Sequence, residues 1–403
     1  MTGPERLTTK AIVVGAGPSG LLAAIALAEG RIETVLIGKP AAADHRTTAL
    51  MSASVTALET LGVWELCRDN AAPLRTLRIA DDTHRLLRAP EARFEASEID
   101  LAAFAYNIEN RHLVAALETR ARALPLIRRL EENAKAVVAA EMPEIVLESG
   151  GLLSGKLVIG ADGARSLCRA AAGIEMTGRN YPQHALTFNV RHTRPHHDIS
   201  TEFHTEDGPF TLVPLPGLRS SIVCVVDPAE AERLRELDDP GIEREIETRS
   251  HSILGKIQLD PGRGSFPLAL ETANSFAAGR IALVGEAAHR LPPIGAQGLN
   301  LGLRDAATIA ELAVAADRAK LDIGSPDLLS RYATRRRTDV IARTFAVDLL
   351  NRSLLSDFLP AQGARGFGLY LMNRIGGLRR AVMREGVDPA IAKPRLMRGD
   401  ALR

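Results

Sequence analysis

Gly15-Ala16-Gly17-Pro18-Ser19-Gly20 follows the apolar run Ala11–Val14 and precedes a stretch that reads as a helix from about Ser19 to Glu29. Gly15 permits a sharp turn, Gly17 lets the backbone approach a pyrophosphate, and Gly20 lets the helix pack close to the strand. The helix start then offers unpaired N–H groups and the positive end of a dipole to an anion. Strand, glycine turn and helix in this order suit the binding of a dinucleotide. An acidic residue that bonds the ribose is expected where the second strand, Thr34–Ile37, ends. Gly38-Lys39-Pro40 stands there instead.

Two later segments repeat the theme. Leu157-Val158-Ile159-Gly160-Ala161-Asp162-Gly163-Ala164-Arg165-Ser166 is an apolar strand running into a polar turn, and Gly279–His289 is another, ending on Gly285 and Glu286. Leu291-Pro292-Pro293-Ile294-Gly295-Ala296-Gln297-Gly298-Leu299-Asn300 then leads into a helix from Leu299 to about Ala316. Its residues Leu303, Ala306, Ala307, Ala310 and Val314 recur at helical spacing. Strand ends with carboxylates and two glycine-bounded helix starts suit one long ligand lying across an α/β sheet.

The elements that must position these groups agree with the composition. The chain has 403 residues, 46% hydrophobic and 25% charged, which excludes disordered, collagen-like and disulfide-scaffold classes. The run Ala11–Ala28 has the length of a signal anchor, but Gly15 to Gly20 interrupt it after four apolar residues. Cys67, Cys168 and Cys224 are far apart, so no disulfide framework or structural zinc site is encoded, which fits a reducing cytosol. His192, His196, His197 and His204 lie in a polar stretch and read as a solvated loop rather than a metal site. A net charge of +1 argues against a nucleic-acid partner, but it conceals a division. Residues 331–403 carry 15 basic and 6 acidic residues, while the first 330 carry 35 basic and 43 acidic.

GAGPSG, GADGARS and GRIALVGEAAH…PPIGAQGLNLGLRD together resemble, in order and spacing, the flavin motifs of the single-component FAD-dependent aromatic hydroxylases. PPIGAQGLNLGLRD, Asp44-His45-Arg46-Thr47-Thr48-Ala49-Leu50 and the tail after Arg331 are similar, more narrowly, to the ubiquinone-biosynthesis hydroxylases. The resemblance implies FAD, with NAD(P)H as a transient co-substrate and O2 delivered through a flavin hydroperoxide to a prenylated phenol or quinol ring. It implies that Gly15, Ala16, Gly17, Pro18, Ser19 and Gly20 cradle the pyrophosphate. Arg46 and Arg111 would touch the ribose and phosphate side, and Asp162 would serve flavin and nicotinamide. Gly285 and Glu286 would hold the ribityl-phosphate region, although the family commonly has Asp at the latter position. Pro293 and the backbone of Gly298, Leu299 and Asn300 would lie against the isoalloxazine ring.

The fold this implies is α/β: a Rossmann-like FAD-binding domain split in sequence (1–175 and 276–330), an inserted β-rich substrate domain (176–275) and a basic C-terminal helical region (331–403). Within the insertion, Thr187–His192 and Gly208–Asp227 read as strands, the latter a hairpin across Pro216-Gly217-Leu218-Arg219. Pro228 to Ile253 reads as helical with a break at Asp239-Pro240-Gly241. No residue identifies itself as a catalytic base. His289 is either catalytic or a strand-end histidine bonding the backbone. No second G-x-G-x-x-G and no close cysteine pair is present, which excludes disulfide-reductase relatives.

The tail offers Phe345, Leu349, Leu350, Leu354, Phe367, Tyr370, Leu371 and Ile375 at periodic spacing, with Arg335-Arg336-Arg337, Arg374, Arg379, Arg380 and Arg384 among them. Such helices either pack on the core with a solvated basic face, or dock to an anionic membrane surface or to a biosynthetic protein assembly. The expected location is cytoplasmic, with peripheral membrane contact. A hydroxylase of a small soluble aromatic and a non-catalytic flavin-fold subunit are the competing readings.

Overall fold

A computed structural model describes residues 6–40, 44–84, 88, 90–293, 295–355, 375–387 and 393–402. Its helices are α1 (Pro18–Glu29), α2 (Ser52–Thr60), α3 (Asn110–Arg122), α4 (Leu167–Ala171), α5 (Pro228–Glu236), α6 (Asp239–Arg249), α7 (Gln297–Arg318), α8 (Pro326–Leu355) and α9 (Gly376–Val387). Of the tail residues named above, Phe367, Tyr370, Leu371 and Arg374 lie outside the described residues. The same is true of the side chains of Phe345, Leu349, Leu350 and Leu354.

The first strand, Arg6–Val14, runs parallel to Leu152–Gly160 on one side and Thr34–Ile37 on the other. Ile127–Leu130 extends the sheet beyond Thr34–Ile37, and Ile281–Leu283 extends it beyond Leu152–Gly160, both in parallel. Ala11 to Val14 are buried, as a central parallel strand covered on both faces requires. Helix α1 is buried along most of its length and packs against α7 and α3. A Cβ added to Gly30 would stand 2.1 Å from a Val314 methyl, so α7 closes on the end of α1.

The second sheet is mainly antiparallel and covers the first unit. Its spatial order is His289–Arg290, Gly264–Ala273, Met176–His192, Arg219–Val226, Pro209–Leu215, Ile199–His204, Thr76–Asp81 and Ala92–Glu95. The hairpin is present, with Leu215 opposite Arg219. The covering sheet also recruits Thr76–Asp81, in parallel with Ile199–His204, from inside the first 175 residues. The expected helix break shifts slightly: Asp238 caps α6 by accepting from the Gly241 N–H, so Asp239-Pro240-Gly241 opens a helix rather than interrupting one.

Alternation divides this sheet's faces. Leu186, Phe188 and Val190 pack outward with α5 and α6. Asn189 and Ser221 point the other way, toward a three-stranded sheet of Thr47–Met51, Ala105–Glu109 and Ala71–Leu74. Thr47 donates to Ser221 Oγ (2.8 Å), Asn107 donates to the Pro214 carbonyl (2.9 Å), and Asn189 donates to Glu109 Oε1 (3.1 Å). Arg219 bridges Glu109 and Asp260. Burial raises the Glu109 pKa, but Arg111 and Arg219 outweigh it and hold the carboxyl below its ordinary value. These buried polar bonds fix how the cover sits over the strand ends.

Candidate functional site

Three turns converge where the parallel strands end. Gly15 has φ of +112°, and its N–H donates to the Ile37 carbonyl (2.8 Å). A Cβ on Gly15 would stand 2.2 Å from the Ala161 carbonyl oxygen, so the first and second motifs touch backbone to backbone. A Cβ on Gly20 would stand 2.0 Å from the Gly15 carbonyl oxygen, which seats α1 directly on its own turn. The third motif meets α1 at Ser19: a Cβ on Gly302 would lie 2.4 Å from Ser19 Oγ, and one on Gly285 would lie 3.0 Å away.

Gly17 differs from these. It caps α1 with extended backbone, no side chain bonds the helix start, and a Cβ there would meet nothing within 4 Å. Ala16, Pro18 and Ser19 complete the turn beside it. The same openness recurs at Gly298, in the first turn of α7, where a Cβ would also meet nothing. Helix α7 begins at Gln297, two residues before the expected start, and follows Ala296 in the left-handed region (φ +52°). Neither helix has an acidic residue in its first turn. Two helix N-termini with clear space before them suit negative charge at both ends of a long ligand.

Arg46 is exposed and grips Asp44 with two bonds (Nε to Oδ1 2.9 Å, Nη2 to Oδ2 2.8 Å). Burial raises the Asp44 pKa, but bonds from Arg46 and Asn110 overcome it and hold the carboxyl low. Glu286 is exposed in the short turn Gly285–Ala287; Asp44 chiefly, and Glu286 more weakly, raise the pKa of Arg46. Arg111 stands in the first turn of α3, its Nη2 on the buried Glu109 (3.0 Å) and its N–H on the Asp44 carbonyl (3.2 Å). Arg46 and Arg111 are therefore tied to one another through Asp44.

Asp162 accepts from Ser166 Oγ (2.5 Å) and from the Cys168 N–H (3.1 Å), so it also organises the turn into α4. Pro293 is exposed, and Ile294 lies outside the described residues. Leu299 is half-buried. The Asn300 side chain is fully engaged: Oδ1 accepts from the Met51 N–H (2.9 Å) and Ser54 Oγ (2.7 Å), and Nδ2 donates to Ala49 and Ala296. Gly38, where an acidic residue was expected, has φ of +149°, and a Cβ there would lie 2.7 Å from the Ala16 nitrogen. In this backbone a side chain at position 38 would collide with the turn of the first motif.

Two expectations need correction. His289 bonds neither backbone nor open space. It is fully buried, with Nε2 on Asp305 Oδ2 (2.7 Å). Arg336 does not belong to a solvated basic face. It is 2% exposed and paired to Asp305 (2.5 Å) and Asp339 (2.7 Å). Arg379 is likewise turned inward, bonded to Glu98 (2.6 Å) and lying 4.5 Å over the Phe94 ring. Sequence reading missed the Asp305–Arg336–Asp339 cluster. A signal was present: Tyr332, Arg336, Asp339 and Arg343 recur at four-, three- and four-residue spacing, one face of a helix. A cavity of about 540 Å³ bordered by Leu186, Phe188, Leu234 and Pro267 opens on the outward face of the cover and contains none of the motif residues.

The cradle fits FAD on structural grounds: the glycine-lined clearing at Gly17, a second at Gly298, and the cation of Arg46 between the loops. The family model described as FAD binding domain matches residues 8–345. The chain is 34% identical to ubiquinone hydroxylase UbiL of Rhodospirillum rubrum, over 99% of this chain and 95% of that protein. It is 29% identical to 3-demethoxyubiquinol 3-hydroxylase of Escherichia coli, over 93% of this chain and 97% of that protein. Among solved structures, p-nitrophenol 4-monooxygenase PnpA from Pseudomonas putida DLL-E4 superposes with a TM-score of 0.79 at 20% identity, covering 96% of this chain and 100% of that one. At that identity the likeness is one of fold.

Proposed function

The chain belongs to the FAD-binding-domain family, in the branch of the ubiquinone-biosynthesis monooxygenases, and on that premise we propose that it hydroxylates the ring of a polyprenylated phenol or quinol. The observation that carries the cofactor half of this reading is the convergence of three motifs on two open helix N-termini. The full-length likeness to ubiquinone hydroxylases supports the substrate half.

Bound in this cradle, FAD would supply the reducing equivalents taken from NAD(P)H and the activation of O2 that the side chains cannot provide. The chain's part is to bind, orient and exclude water. The turn from Gly15 to Gly20 would hold the pyrophosphate, with Arg46 and Arg111 on the ribose side. Asp162, Gly285 and Glu286 would define the middle, and Pro293 with the backbone of Gly298, Leu299 and Asn300 would face the ring. The N–H groups of the first turn of α7 would then stabilise negative charge developing there. The covering sheet would keep the reacting ring out of water.

A peripheral, cytoplasmic-side membrane contact would bring the enzyme to a lipid-borne substrate. Ile375, just before α9, and Leu378 and Val382 on it support it: they are 48%, 42% and 47% exposed at three- and four-residue spacing, with Arg380 and Arg384 on the same helix. Among the described residues no helix is long and apolar enough to cross a membrane.

Lipid extracts of a strain lacking the gene test the activity. The expected result is accumulation of an under-hydroxylated prenylphenol, restored by the intact gene. Unchanged quinone with no such intermediate would instead point to a small soluble aromatic as substrate. Co-sedimentation with anionic vesicles tests the membrane contact. Serine at 375, 378 and 382 should abolish it, and undiminished binding would remove α9 from the proposal.

A further inference from the structure

One pair of titratable side chains on the covering sheet has no part in the chemistry described so far. Residues paired across neighbouring strands share a face of a sheet. Asn189 and Ser221 are such a pair, and they face Glu109 and Thr47. Two residues along, Thr187 pairs with Val223, Val223 with Thr211, Thr211 with Glu202 and Glu202 with Ile79. This row lies on the same inward face. Thr187, Val223, Thr211 and Glu202 are half-buried in the middle of the sheet, whereas Phe188, Ile222, Leu212 and Phe203 on the other face are buried. The inward row thus faces an opening instead of packed core. At one end Thr47, which follows Arg46, bonds Ser221. At the other, Leu291 and Val223 both pack on the cluster of Ala185 and Val225, two residues before Pro293 in the case of Leu291. Loops assigned to the cofactor therefore border the row on both sides.

Glu202 brings a carboxylate into this row. His204 Nε2 donates to Oε1 (2.7 Å), and Thr211 Oγ1 reaches Oε2 over a long 3.4 Å. The sequence places His204 in a solvated loop, but it ends the strand Ile199–His204 and is 6% exposed. The histidine holds one carboxylate oxygen from the same strand and leaves the other with capacity to spare, on a side chain that is 26% exposed. Among the described residues no lysine or arginine pairs with Glu202. A carboxylate accepts hydrogen bonds and cannot donate one. With no cation beside it, a half-buried carboxylate is best satisfied by a neutral O–H donor. The ring hydroxyl of a phenol or quinol is such a donor. The carbonyl of a quinone is an acceptor and would be repelled.

We propose that Glu202, oriented by His204, accepts the hydroxyl of the substrate ring and thereby selects the phenol or quinol over the quinone. This rests on the hydroxylation reading above, whose substrate it narrows to the reduced ring. Only an electron-rich ring takes up an electrophilic oxygen, so the contact that binds the ring also sorts it by redox state. Glu202 is the residue in contact with the substrate, and His204 is a positioning residue that acts through it. A hydrogen bond to a charged group is worth roughly tenfold to a hundredfold in affinity. A site built to bond a hydroxyl also rejects the analogue that lacks one.

The test is calorimetric binding to the FAD-loaded protein without NAD(P)H, so that no turnover intervenes. The probes are ortho-geranylphenol, geranylbenzene and geranyl para-benzoquinone. Wild-type protein should bind the phenol about tenfold more tightly than either of the others. Glu202→Gln offers an N–H as well as a carbonyl, so it should weaken the phenol, tighten the quinone and bring the two affinities together. His204→Leu should lower the preference as well, and His204→Gln, whose amide can still donate to Glu202, should restore it. Equal binding of the phenol and geranylbenzene by the wild type, a comparison that needs no variant to fold, would overturn the role of Glu202 and leave the hydroxylation reading standing. An unchanged preference in folded Glu202→Gln would do the same. Binding of none of the three probes would overturn the hydroxylation reading itself, and this inference with it.

Discussion

Asp305→Asn tests the interior on which the site rests. Asparagine keeps the size of the side chain and one oxygen for the Gly285 N–H, but it cannot neutralise Arg336, which is 2% exposed. Stranding one charge of a buried pair costs about 3–5 kcal/mol, because the survivor keeps its desolvation penalty and loses its partner; Arg336 keeps Asp339 (2.7 Å), which sets this variant at the low end. The expected loss is in that range, a large part of the stability of an ordinary domain. Urea unfolding followed by Trp64 fluorescence is the assay, since Trp64, the single tryptophan, is buried in the same apolar core as α7 and α8. Adding Arg336→Met removes the cation that lost one of its two carboxylates, so the double variant should recover much of the loss, with a coupling energy of at least about 2 kcal/mol. A single-variant cost below about 1 kcal/mol, or effects that simply add, would show that Asp305 and Arg336 do not depend on each other.

Three further outcomes are expected. Gly17→Val should yield folded protein without bound flavin, since an added side chain meets no protein atom but fills the clearing, whereas Gly20→Ala should destabilise the fold by forcing α1 off the Gly15 turn; flavin content and thermal melts of the two separate these cases. Acid should destabilise the protein early. Asp305 and Asp339 have pKa values raised by burial but lowered further by Arg336, and Asp44 and Glu109 are also held low, so the unfolded chain binds more protons below about pH 5 and the contribution of all four is lost as pH falls; a stability profile flat from pH 7 to 4 would contradict this. Arg379→Gln should release α9, seen as faster tryptic cleavage beyond residue 375 with flavin content unchanged, because it removes both the Glu98 pair and the Phe94 ring contact.

What could be read in the sequence was local. The three glycine turns were legible because a tight turn or a close backbone approach admits almost nothing else, and the Gly15, Gly20 and Gly285 positions show that necessity directly. The hairpin of Pro209–Leu215 and Arg219–Val226 was legible for the same reason, its turn residues lying between two alternating strands. The pairing of Thr76–Asp81 with Ile199–His204 was not, because it joins segments more than a hundred residues apart and neither carries a pattern naming the other. Arg6–Thr9 also escaped notice. It is too polar to announce a central strand, yet it continues the ladder opposite Leu152–Gly155.

The charged interior was missed through a rule that usually works: charged residues are placed in solvent unless they are paired. Counting the tail as a basic face assigned all its arginines to the surface. In the folded chain Arg336 and Arg343 turn toward Asp305 and Asp339, and Arg379 turns toward Glu98. The basic segment after the acidic body therefore holds two sets of arginines. Arg336 and Arg343 of α8 point inward, Arg343 onto Gln297 at the start of α7. Arg380 and Arg384 stay exposed on α9, beside Ile375, Leu378 and Val382. Salt distinguishes them. Screening at 0.5 M salt should weaken vesicle binding through Arg380 and Arg384, while the stability lent by the interior pairs of Arg336 and Arg343 should barely move. Equal salt sensitivity of both would mean that the interior cluster is not sealed from solvent.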